Sequence, residues 1–222
     1  AAAGAMVLVN TVVLVRSDLG LGESQVAITL GAFGGGSMLA ALLLPKLLDN
    51  WPDRPVMIGG AMVLVAALLA LSLMLLVYNL RWTPLLVGWF IIGIGYSAVL
   101  TPSGRLLKRS ACAEDRPAVY AAQFALSHAC WLVTYPLAGW LITVSEPMVA
   151  FAVLAVLAGV GVFCGIVLWP QESGEPVTHS HDDLPKDHPH VQDGRTHSHA
   201  IVIDDYHPHW PRVREPGSFS GQ

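Results

Sequence analysis

From residue 1 to about residue 170 the chain is almost unbroken apolar sequence, interrupted by short polar stretches at helix-length intervals. That pattern constrains the fold more than any single motif does. Only 13% of the 222 residues are charged, and about half of the 12 Lys and Arg and 16 Asp and Glu lie after Pro170. Soluble domains carry about 25% charged residues. A globular core does not need such depletion, whereas a lipid environment does, because no water is there to solvate charge or unpaired backbone. The formal net charge of −4 gives no basic surface, so no nucleic-acid partner is expected. Cys112, Cys130 and Cys164 are too scattered for a disulfide framework or a Cys-x-x-Cys site.

A bilayer core about 30 Å thick is crossed by about 20 apolar residues in a helix. Six segments are predicted, at about 1–15, 25–48, 55–78, 83–106, 117–143 and 147–169, the first of them incomplete. Pro55, Pro84, Pro117 and Pro147 fall at helix starts, where a missing N–H costs nothing. Ser24 is the expected N-cap of the second helix. The opening AAAGAMVLVN has neither an initiator Met nor a basic or cleavage-site pattern, and reads as the middle of a helix. The chain is accordingly expected to be a fragment of a longer protein, cut inside a transmembrane segment. Two domains follow: a six-helix transmembrane bundle over 1–170 and a His/Asp-rich tail over 171–222, largely disordered by composition.

Lys46, Arg54, Arg105, Lys108, Arg109 and Arg116 occupy one set of loops, against Arg16 and Arg81 in the other. The excess places the second–third and fourth–fifth loops in the cytoplasm, and the tail with them. Small residues at four-residue spacing, such as Gly31/Gly35, Ala32/Gly36/Ala40, Ala155/Gly159 and Gly161/Gly165, fit a packed bundle.

The loop after the second helix reads Pro45-Lys46-Leu47-Leu48-Asp49-Asn50-Trp51-Pro52-Asp53-Arg54-Pro55. It resembles the Gly-x-x-x-Asp-Arg-x-Gly-Arg-Arg loop signature of the major facilitator superfamily: Asp49 and Arg54 match, and Pro45, Asn50, Pro52 and Asp53 depart. The stretch Tyr96 to Ser110, followed by Glu114-Asp115-Arg116, looks like the corresponding region of multidrug-type facilitator permeases. The resemblance covers about residues 1–170. It implies an all-α membrane protein forming helices seven to twelve of a twelve-helix transporter, with the N-terminal six-helix half as partner, a bilayer of the bacterial inner membrane around it, and a small solute or metal ion as cargo. It also implies that Asp49 sits near the start of the fifth helix, around Pro117, where the helix dipole favours a carboxylate.

No Asp, Glu, Lys or Arg lies deep in any span. The ionisable exception is His128, in a stripe with Tyr120, Gln123, Phe124, Ser127, Trp131 and Tyr135 at spacings of three and four. His128 is open to three readings: a proton carrier, a substrate ligand, or a neutral imidazole bonded to a neighbouring helix. Asn10, Thr11, Tyr96, Ser97 and Thr101 complete the transport-path candidates. Enzyme chemistry is not expected. Thr101-Pro102-Ser103-Gly104 sits at a helix exit beside Arg105, the wrong setting for an intramembrane serine nucleophile, and the paired Asp or His ligands of a cation-diffusion facilitator are missing from the helices.

The tail carries four His-x-His pairs, His179/His181, His188/His190, His197/His199 and His207/His209. A unit of His-Ser-His, then an Asp pair (Asp182/Asp183, Asp204/Asp205), then His-Pro-His occurs twice. In extended chain, residues i and i+2 project to the same side. Imidazole with carboxylate suits Ni2+, Co2+, Zn2+ or Cu2+, and no cofactor is otherwise required. The tail resembles His-rich C-termini of facilitator permeases linked to nickel or cobalt resistance. The stretch 200–206, Ala200-Ile201-Val202-Ile203-Asp204-Asp205-Tyr206, and Trp210-Pro211 equally fit a docking segment, and incidental composition is the third possibility. The expected function is secondary efflux of a divalent transition metal. The alternatives are efflux of small organic compounds with a regulatory tail, and a non-transporting, membrane-anchored metal-binding protein.

Overall fold

The computed structural model describes residues 1–169, 176–180 and 196–200. The helices are α1 (Ala2–Val12), continued by a π-helical turn (Val13–Asp18), α2 (Glu23–Asn50), α3 (Asp53–Val77), α4 (Trp82–Arg109), α5 (Arg116–Val144) and α6 (Pro147–Leu168). The last five are long and apolar enough to cross a membrane. At 1.5 Å per residue each exceeds the bilayer core. Prolines sit in the first turn of α3, α4, α5 and α6, as the sequence predicts. Pro45, Pro102 and Pro136 lie inside helices.

Ser24 is not the cap of α2. The helix starts two residues earlier, at Glu23 with Gly22 as N-cap, and the Gly22 N–H donates to Gln25 Oε1 at 3.2 Å, satisfying a free donor from inside the first turn. Gly20, with φ +66°, makes the reversal between the π-turn and α2 in the left-handed region that suits glycine.

Helix α4 lies between α2 and α3, α3 lies between α4 and α6, and α5 packs chiefly on α1. The truncated-looking first helix is the most enclosed element. Ala2 through Val7, Asn10, Thr11, Leu14 and Val15 are all buried, in a core shared with Leu68, Leu85, Trp89, Ile92, Phe151 and Leu154. Trp89 and Phe151 meet edge to face with centroids 6.0 Å apart. Outward positions are as apolar as inward ones: Leu132 and Leu168 are both 77% exposed, the signature of a surface facing lipid or another protein.

Helices α2 and α4 approach backbone to backbone. A Cβ on Gly36 would run into the Phe90 carbonyl, and one on Gly93 into the Phe33 carbonyl. Of the four-residue patterns in the sequence, the row through Gly36 is therefore the one closed by a neighbouring backbone; Gly31, Gly161 and Gly165 face open space.

Within the tail the described residues form two short strands. Strand β1 (Pro176–Ser180) pairs antiparallel with β2 (Thr196–Ala200), in the register Val177 with His199, Thr178 with Ser198 and His179 with His197. The repeat in the sequence explains this pairing, since each strand carries a copy of the His-Ser-His unit or its flank.

Gly93→Val should lower the thermal unfolding midpoint in detergent, at a cost of about 1–3 kcal/mol as expected for overpacking. Gly34→Ala, where nothing lies within 4 Å of the added Cβ, should leave the midpoint unchanged.

Candidate functional site

Two groupings of polar side chains stand out from the apolar background. The first lies where α2, α3, α4 and α6 meet at one end of the bundle. Pro52 ends the short turn after α2, and Asp53 opens α3 with its side chain only 2% exposed. Arg105 approaches Asp53 Oδ1 through Nε at 2.9 Å and Nη2 at 2.6 Å. Arg109 Nη2 faces Oδ2 at 2.8 Å, an ion pair off the line of a well-formed hydrogen bond. The Arg105 guanidinium also donates to the Leu48 carbonyl near the end of α2, at 3.2 and 3.3 Å. An acid in the first turn of α3 and bases at the end of α4 each complement the local helix dipole.

Arg54, the next residue, reaches a different helix. Its Nε donates to the Trp169 carbonyl and its Nη2 to the Ile166 carbonyl, both at 3.1 Å. Both carbonyls lie at the end of α6, so Arg54 caps that helix. The Asp53-Arg54 dipeptide thus joins the ends of four helices.

Asp49, expected near the start of α5, is exposed on the last turn of α2, which runs on to Asn50. The carboxylate in the ion pairs is Asp53, which the sequence comparison counted as a departure, and its partners are on α4. Arg54, singled out from the loop resemblance, lies beside it in the same cluster. Arg105 and Arg109 were counted only as loop charges. The signal that could have found them was their four-residue spacing on the last turns of α4.

The second grouping is a face of α5. Phe124 and His128 stack at 3.8 Å between centroids, His128 and Trp131 lie 5.7 Å apart, and Trp131 and Tyr135 stack at 5.2 Å. Spacings of four, three and four keep the rings in one row. His128 Nδ1 lies 2.8 Å from the Phe124 carbonyl, with Ser127 Oγ at 3.4 Å. A carbonyl only accepts, so in this contact His128 Nδ1 is the donor. The row borders an open groove of about 540 Å³ lined by His128, Ala129, Trp131, Leu132, Tyr135 and Pro136. Gln123 is half-buried on the same helix. Tyr120 leaves the row, donating from Oη to the Gly104 carbonyl of α4 at 2.9 Å.

The other path candidates are placed elsewhere. Asn10 and Thr11 are fully buried in packing rather than lining a cavity. Asn10 Nδ2 donates to the Ala138 carbonyl of α5 at 3.1 Å, and Thr11 Oγ1 accepts Trp89 Nε1 at 2.8 Å while bonding the Val7 carbonyl. Short polar side chains at the centre of the most enclosed helix are consumed in joining it to α4 and α5. Tyr96 packs edge to face on Phe33 at 5.5 Å, and Ser97 shares a 3.4 Å contact with Thr101. None of these lines the α5 groove. Thr134, not singled out from sequence, is buried beside it, and both its Oγ1 and Asn10 Oδ1 have no hydrogen-bond partner among the described residues.

Chemically, the α5 face offers stacked π surfaces and one imidazole, a setting for planar or apolar organic groups. A single imidazole is not a coordination shell for a divalent ion. Among the described residues no group of three or more His, Cys, Asp and Glu is poised to hold a metal. Of the expected tail ligands, His179, His197 and His199 fall in the paired strands. His181, His188, His190, His207, His209, Asp182, Asp183, Asp204 and Asp205 lie outside the described residues.

A family model, Major Facilitator Superfamily, matches residues 1–211. The chain belongs to that superfamily, and is therefore an integral membrane protein of a transporter family. No curated protein matches it.

Asp53→Asn leaves two guanidinium groups facing an amide. Breaking a fully buried pair costs about 3–5 kcal/mol; with Arg105 40% and Arg109 28% exposed, a loss on the order of 2 kcal/mol is expected. Asp49→Asn should cost nothing measurable, a contrast read by denaturation of the detergent-solubilised chain. Thr11→Val removes the acceptor for the buried Trp89 indole and should destabilise by about 1–3 kcal/mol. Substrate selectivity, measured by competition in a flux assay, should not change.

Proposed function

We propose that the chain forms the C-terminal six-helix half of a secondary active transporter of the bacterial inner membrane, exporting a divalent transition metal ion, with the tail on the cytoplasmic side collecting or sensing that ion. The observation that carries the metal reading is the duplicated His-Ser-His, Asp-Asp, His-Pro-His frame attached to a transporter bundle. The six-to-two bias of Lys and Arg supports a cytoplasmic tail, and hence export. The open aromatic face of α5 supports a second six-helix half, across from which a path would run.

A second reading has its own support. The α5 groove is aromatic and holds one imidazole with no carboxylate, which favours a small organic substrate, the tail then regulating or buffering metal. Membership of a transporter family weighs against a purely metal-binding membrane anchor.

Proteoliposome flux measured on the transporter with this chain intact, and on a version ending at Pro170, separates the readings. Under the metal reading Ni2+, Co2+ or Zn2+ is exported by the intact protein and export falls several-fold on truncation. Organic-compound export in both versions, with metal flux in neither, overturns it in favour of the second reading. There, His128→Ala should impair organic transport.

A further inference from the structure

We propose that His128 is a proton-binding site on the open face of α5, and that its proton and a cationic cargo occupy that face alternately. Entry of one then drives exit of the other. The proposal deepens the reading of the chain as part of a secondary transporter and rests on it, but not on which cation is carried.

Placement is the first argument. His128 stands near the middle of α5, a helix of 29 residues, yet it is exposed rather than packed into the bundle. An ionisable side chain within a span is costly against lipid, and is expected to face a protein interior or a water-filled path. The groove beside it, lined also by Trp131 and Tyr135, fits such a path. Among the described residues its hydrogen-bond partners are the Phe124 carbonyl and Ser127, both on its own helix. The imidazole is therefore not spent in tying α5 to a neighbour, as the Asn10 and Thr11 side chains of α1 are.

The surroundings of the ring suit a charge that comes and goes. Nδ1 donates to the Phe124 carbonyl at 2.8 Å, a bond that the neutral and the cationic ring both make. The proton exchanged is then the one on Nε2, and the ring need not turn to gain or lose it. Phe124 and Trp131 flank the ring, with centroids at 3.8 and 5.7 Å. Both lie within the roughly 6 Å over which an aromatic face attracts a cation. An imidazolium is thus accommodated here without a carboxylate.

No other group at this level competes for the proton. Tyr135 is the other titratable residue lining the groove. Helix α1, on which α5 chiefly packs, carries no titratable side chain. Helix α6 offers Cys164, and α4 offers Tyr96 and, on its last turns, Arg105, Lys108 and Arg109. The Ala1 amino group approaches Cys130, which is turned about 200° round α5 from His128. Arg116, Glu114, Asp115 and Glu146 lie at or beyond the ends of α5; the acids are about 20 Å or more from His128 along the helix. Imidazole is also the side chain whose charge changes under physiological conditions. A cationic His128 repels a second cation in the groove and a neutral one admits it, which is the coupling that an exchanger needs.

The test places the transporter carrying this chain in proteoliposomes, with Ni2+ and the planar cation ethidium as probes. In His128→Gln, which takes up no proton, transport driven by an imposed pH gradient should fall by roughly ten-fold or more. Exchange of the same probe at equal pH on both sides should fall much less. Gradient-driven transport that survives in His128→Gln, or an equal loss in both modes, overturns the proposal. Histidine-selective nitrogen NMR of the full chain in nanodiscs reads the site without transport, the His128 signal being the one absent from His128→Gln. As the pH is lowered from about 8 to about 5, Nε2 should pass from bare to protonated while Nδ1 stays protonated. A ring that does not titrate over that range, or titrates at Nδ1, also overturns the site. Titration at Nε2 with neither probe transported by the unmodified protein leaves the proton site standing and sinks the transporter reading, and the alternation with it. Gradient-driven transport with no titration of His128 gives the converse.

Discussion

A carboxylate shielded from solvent at the first turn of α3, held between two arginines of α4, is the constraint on which one end of this bundle depends. Burying Asp53 alone would be prohibitive in an apolar setting. The cost is offset because two guanidinium groups, still partly hydrated, converge on it, and one of them also satisfies the Leu48 carbonyl. Arg54 extends the same cluster to α6. Four helices whose contacting surfaces are otherwise nonspecific hydrocarbon are thereby given a fixed relative position. In lipid, where apolar contact does not discriminate between protein and solvent, such polar ties and close backbone packing carry the specificity.

The tie of Arg54 joins the end of α6 to the cluster. Trp169, whose carbonyl Arg54 holds, is the last residue of the bundle before the tail. Any rearrangement that draws on the end of α6 acts on the residue next to Asp53. At the opposite side of the molecule's logic stands α5, which packs mainly on α1 and leaves its ring-stacked face open. The bundle is thus rigid where α2, α3, α4 and α6 join, and open along α5.

Spans, their order and the prolines at their starts were legible because they depend on composition and length, which lipid reads directly. Site residues were legible only in part. Asp49 and Asp53 are both acids close together in sequence, and linear comparison did not single out Asp53, because which of them meets the arginines of α4 is not encoded in a loop pattern. Asn10 and Thr11 looked like path residues since polar groups in a span are uncommon. Whether such a group faces water or a Trp indole depends on which helix lies opposite. Phe124, His128, Trp131 and Tyr135 form one row, which a helical period alone groups.

The sequence by itself determined that the chain is a helical membrane bundle with a metal-ligand-rich tail, since hydrocarbon tolerates neither charge nor unpaired backbone and the repeat of His-x-His units is plain in one dimension. Only tertiary structure decided that α1 is central, that Asp53 rather than Asp49 is clamped, and that His179 stands opposite His197. Each of these turns on which surfaces meet. In a chain whose helix faces are all apolar, periodicity does not say which neighbour a face will find, and in a tail with several copies of one unit it does not say which copies will pair.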